Sequence, residues 1–102
     1  MHNQHWMKYA TGSATASAVD EELRPYLQTR GYFCVVNTMP VTDMAKPLWI
    51  NFGEAATGSS GPAGIPVYPG QRFELNQTNM SANTIHTAGA SITFSWVEGT
   101  RA

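Results

Sequence analysis

The chain has 102 residues, 42% of them hydrophobic and only 13% charged, with six Lys and Arg set against seven Asp and Glu. This is the size of one small domain, burying roughly two thirds of the surface its unfolded chain exposes. The scattered, balanced charges make no basic field for nucleic acid or an anionic membrane, so neither is expected as a partner.

No stretch approaches the roughly 18 apolar residues of a membrane span, and the opening MHNQHWMKYATG lacks the apolar centre of a signal peptide. We expect a soluble protein made in the cytoplasm. Residues 1–12 carry His2, His5, Trp6, Met7 and Tyr9 with no periodicity, and read as an extended arm preceding a single β domain over 13–102. Leaving Trp6 in water forfeits about 2 kcal/mol of burial. Its own domain or a neighbouring molecule must cover it. The sharper expectation is a neighbouring subunit contacted through His5, Trp6, Met7 and Tyr9, with the polar TGSATAS run as hinge.

Thr15 to Val19 fits a short first strand. Asp20-Glu21-Glu22-Leu23-Arg24 places acids where a helix start favours them, with Pro25 as a stop, and predicts one helical turn. Glu21 and Glu22 point in different directions with no apolar pocket nearby, so capping explains them better than catalysis. Tyr32 to Asn37 (YFCVVN) is apolar on both faces, as a central strand requires. Cys34, the sole cysteine, cannot form an intramolecular disulfide and reads as a buried small hydrophobe.

Thr38 to Ala45 is a loop. From Pro47 to Gly53, Leu48, Ile50 and Phe52 alternate with Trp49 and Asn51, sending one set inward. Residues 54–64, mostly Gly, Ser, Ala and Pro with Glu54 and Thr57, offer little to bury and read as a surface connection. Ile65 to Tyr68 resumes an apolar run, and Tyr68-Pro69-Gly70-Gln71 is a type II turn signal. Phe73 and Leu75 share one face of an Arg72 to Asn76 strand, and Gln77 to Asn83 is a polar connection. Thr84 to Thr87 puts Ile85 inward and His86 outward. Ala88-Gly89-Ala90 then leads into Ser91 to Val97, where Ile92, Phe94 and Trp96 share a face; the two runs suggest a final hairpin. Glu98 to Ala102 reads as a polar tail.

About seven short strands without a long helix predict an all-β fold, a small antiparallel β-sandwich or jelly-roll-like barrel. Its core would be Phe33, Val35, Leu48, Ile50, Phe52, Phe73, Leu75, Ile85, Ile92, Phe94 and Trp96.

Reaction chemistry is thin. His2, His5, His86 and Cys34 hold no compact zinc-ligand pair. A Ser/His/Asp set can be assembled around His86 but lacks the Gly-x-Ser-x-Gly elbow. Thr57-Gly58-Ser59-Ser60-Gly61 is Gly-rich without the Lys of a phosphate loop. We expect no catalytic residues, no metal and no cofactor.

The run VVNTM…PLWINFGEAATGSSG…GIPVYPGQRFEL resembles small structural proteins of tailed bacteriophages, in which a "(W/Y)(I/V)xFG" strand end precedes "xAAT", a small-residue loop and an "IPxxPG" turn. The likeness covers about Thr11 to Glu98 and rests on turns and core residues. It implies a non-enzymatic virion component, foremost a capsid decoration (cement) protein on the capsid surface. Such a protein would form a homo-oligomer and bind the major capsid protein or other virion structural proteins. A neck, tail or head-fibre component is the alternative. From another class comes a glycan-binding module using Trp49 and Trp6 as stacking platforms; Trp49 joins the arm residues as an interface candidate.

Overall fold

Side chains that alternate along the sequence alternate across two sheets in the computed structural model, which describes residues 7–56, 64–76 and 79–101. Eight strands follow in order: β1 (Met7–Ala16), β2 (Glu21–Arg24), β3 (Arg30–Asn37), β4 (Leu48–Phe52), β5 (Ile65–Val67), β6 (Arg72–Asn76), β7 (Ile85–Ala88) and β8 (Ile92–Arg101). A 3-10 turn, Asn79–Ala82, lies between β6 and β7. One sheet has the order β1-β8-β3-β6 and the other β2-β7-β4-β5. All the pairings are antiparallel. Every link except β4 to β5 crosses between sheets, which is the jelly-roll form of the β-sandwich. The expected fold class is the observed one.

The core lies between the sheets. Phe33, Val35, Leu48, Ile50, Ile85 and Ile92 are fully buried, and Phe52, Phe94, Val67 and Ala16 complete the cluster. Phe73, Leu75 and Trp96 pack against it while keeping some exposure. The Phe52 and Phe73 rings meet with centroids 5.9 Å apart, tilted at 38°. Gly70 has φ 80° and Gln71 N–H donates to Tyr68 O at 2.9 Å, the expected type II turn.

Four local expectations are corrected. The boundary after residue 12 falls inside β1, which pairs without a break from Met7↔Arg101 to Ala16↔Ile92. From Ala10 to Ala16 its side chains are too small to show a period in hydropathy, but they leave its backbone free to pair. Glu21–Arg24 is strand β2 and not a helical turn: β7 offers it a ladder, and Leu23 packs against the core. β7 and β8 belong to different sheets and make no hairpin. Their link crosses the sandwich end instead, with Gly89 N–H donating to Ser17 O at 2.7 Å and Ser91 at φ 58°. The segment read as a polar tail continues β8 to Arg101, because Glu98 finds charged partners inside the fold.

Candidate interaction surface

The sheet β1-β8-β3-β6 turns one side to the core and the other outward. Strand period two puts Thr11, Val97, Cys34 and Glu74 in one outward row and Ser13, Ser95, Val36 and Arg72 in the next. Between the longer Glu74 and Arg72 at the β6 edge and strand β1, the short side chains of Thr11, Ser13, Cys34, Val36, Ser95 and Val97 line a shallow depression of about 400 Å³. Cys34 is 6% exposed on its floor, buried as expected but on the outward side of the sheet. Beyond the first row, Tyr9 and Tyr32 flank Gly99 in register. Tyr32 O–H donates to Glu74 Oε2 at 2.6 Å. Accepting that bond, the Glu74 carboxylate pushes the Tyr32 hydroxyl above its ordinary pKa, with burial and Cys34 adding to the effect.

Beneath this surface, β8 carries an ion cluster that its alternation places on the core side. Glu98 follows Ile92, Phe94 and Trp96 at period two and is 3% exposed. Arg30 Nε donates to Glu98 Oε1 at 2.8 Å, and Arg24 Nη2 donates to Oε2 at 2.6 Å. Arg30 also donates to the carbonyls of Ser81, Asn83 and Pro25. One guanidinium thus ties β3 to the links before β3 and before β7, and its charge is both paired and hydrogen-bonded. Burial alone would push the Glu98 carboxyl up. Hydrogen bonds from Arg24 and Arg30, with their charges, outweigh it and hold the pKa below the ordinary value. Arg24 stacks over Trp96 at 4.8 Å from the ring centroid.

The second polar cluster joins Asp20, His86 and Thr84. His86 Nδ1 lies 3.1 Å from both Asp20 carboxylate oxygens, and Nε2 lies 3.1 Å from Thr84 Oγ1. Hydroxyl, imidazole and carboxylate stand in the order of a nucleophile, a base and its orienter. Asp20 Oδ1 also accepts Ala56 N–H at 2.8 Å. The contacts therefore bind the β1–β2 link and the loop after β4 to β7, and structural bracing accounts for each of them.

The candidate interface residues are dispersed. His5 and Trp6 lie outside the described residues, and Met7 opens β1. Tyr9 is 61% exposed on the outward side of β1. Trp49 is half-buried on β4 in the other sheet, in a row with Ala88 and Pro66. The structure does not bring Tyr9 and Trp49 together. Beside Trp49, the Asn51 amide donates to Ala55 O and its oxygen accepts Phe52 N–H, so its polar atoms are engaged within the fold. Sequence reading missed the Glu98 cluster, and it weighed His86 in a Ser/His/Asp set without naming its partners Asp20 and Thr84. The Glu98 cluster had a signal in the period-two position of Glu98; Asp20 and His86 are 66 residues apart and had none.

No family model matches the chain, and no curated protein matches it. A structure of Bacillus endospore appendages, described as a novel family of disulfide-linked pili, superposes with a TM-score of 0.54 at 15% identity, covering 93% of this chain and 86% of that one. The likeness is one of fold. A de novo designed double-stranded beta-helix gives a TM-score of 0.45 at 8% identity, over 93% of this chain and 99% of the other. The Yersinia pseudotuberculosis-derived mitogen gives 0.41 at 11% identity, over 93% and 86%.

Proposed function

We propose that this chain is a non-enzymatic structural subunit of a tailed-phage virion, foremost a decoration protein that binds the major capsid protein on the capsid surface. The observation that carries the reading is the two-sheet jelly roll itself, an architecture that viral capsid proteins use, found in a chain whose turns and core resemble phage structural proteins. A fold hosts many functions, so architecture here is an analogy that supports the sequence resemblance. The use of the charged groups agrees with it. Glu98 and Arg30 are committed to internal bonds, while the depression on the outward sheet face is lined by short, weakly polar side chains that allow close approach.

Copy number in purified particles is the test. A number comparable to that of the major capsid protein supports decoration. A few copies per particle moves the subunit to a neck, tail or head fibre, and its absence from particles ends both readings.

A further inference from the structure

The four edge strands of the sandwich are not alike. β5 is three residues long and contains Pro66; β2 is four long, carries Glu21 and Glu22 and has a register break between Glu22 and Arg24. β6 is five long and presents Arg72 and Glu74. Short length, charge, proline and bulges are the devices by which sheet edges avoid pairing with other chains. β1 has none of them apart from Lys8: ten residues, MKYATGSATA, pair with β8 on one side, and among the described residues no strand pairs with the other. A strand paired on one side only leaves half of its N–H and C=O groups without a ladder partner.

We propose that this edge pairs with the same edge of a second copy of the chain, antiparallel about a two-fold axis at Gly12. The inference deepens the structural-subunit reading and rests on it for its purpose, but its geometry comes from β1. Residues Ala10-Thr11-Gly12-Ser13-Ala14 read nearly the same in both directions, so the axis sets Ala10 against Ala14 and Thr11 against Ser13 of the partner strand. Paired residues then share parity, which two antiparallel strands require if ladder groups and sheet faces are to match. Lys8 falls opposite Ala16, and the two Lys8 side chains stand far apart on either side of the axis. The joined sheet would run β6-β3-β8-β1 and on into the partner's β1, doubling the outward face. A self-complementary patch of this kind gives a closed dimer, and strand addition supplies the main-chain hydrogen bonds.

The test uses charge pairs across the axis, read by sedimentation of the full chain over a concentration series. The unaltered chain is expected to dimerise. Thr11→Lys/Ser13→Lys places like charges directly opposite each other twice, and should raise the dimer dissociation constant by about tenfold or more. Thr11→Glu/Ser13→Glu should do the same. An equimolar mixture of the two variants should form heterodimers, which also shows that both are folded. A chain that stays monomeric up to about 1 mM, variants that associate as well as the parent, or a mixture that does not pair would each overturn the proposal. A monomer found on particles at high copy number would overturn edge pairing while leaving virion membership standing.

Discussion

Gly12 and Trp96 face each other in register across β1 and β8, and a Cβ on Gly12 would lie 2.7 Å from the indole ring. That distance is inside van der Waals contact. Gly12→Ala should therefore overpack the site and cost about 1–3 kcal/mol, measured by chemical denaturation. Combining it with Trp96→Leu should recover part of the loss, since the obstacle is the ring and not the backbone. An additive double variant would show that the indole does not set the constraint.

Glu98 stands between two arginines of different exposure. Glu98→Ala strands the buried guanidinium of Arg30 and should cost about 3–5 kcal/mol. Arg24→Ala should cost much less, about 1 kcal/mol, because its side chain is 29% exposed and solvent screens the pair. Equal losses in the two variants would show that Arg30 does not depend on Glu98.

The same carboxylate gives an acid limit to stability. Its folded pKa is lowered, so its contribution is present above the unfolded value near 4.5 and is lost as pH falls through the folded value. Urea midpoints of the parent chain should drop as pH falls from about 4.5 through the folded value and level off below it. Glu98→Gln should flatten the dependence, and an unchanged slope would assign acid unfolding to other carboxylates.

Asn37 is fully buried at the end of β3. Its Nδ2 donates to Lys46 O and Val67 O at 3.0 and 2.8 Å, and its Oδ1 accepts Met39 N–H at 2.9 Å. Asn37→Leu would leave those groups without their partner and should cost about 2–5 kcal/mol, seen as a fall in thermal midpoint. Asn37→Asp retains an acceptor for Met39 but loses both donated bonds, and should also destabilise.

Truncation separates the arm from the strand. Removing residues 1–6 leaves all ten β1–β8 register pairs and should shift stability by less than about 0.5 kcal/mol. Extending the cut through Tyr9 removes the pairs with Arg101, Thr100 and Gly99, and the midpoint should fall by about 4–8 °C for each kcal/mol lost. If the shorter cut already weakens particle binding, Trp6 belongs to the interface as the sequence suggested.

The sequence by itself determined which side chains go inward along three strands. Period two in Leu48–Phe52, Arg72–Asn76 and Ile92–Trp96 names the side chains that go inward, and Pro69-Gly70 names its turn, because both are properties of neighbouring residues. Tyr9, expected at an interface, lies exposed on the outward side of β1, and the depression around Cys34 was not legible because it needs three strands to exist. Tertiary structure alone decided which strands share a sheet, since β7 followed by β8 reads as a hairpin until the crossing at Gly89 separates them. It alone decided that Glu21–Arg24 extends, because the ladder that holds it comes from β7, more than 60 residues away in sequence. That β1 is an edge strand among the described residues was equally hidden: being an edge is a property of the sheet order, and no local pattern of residues carries it.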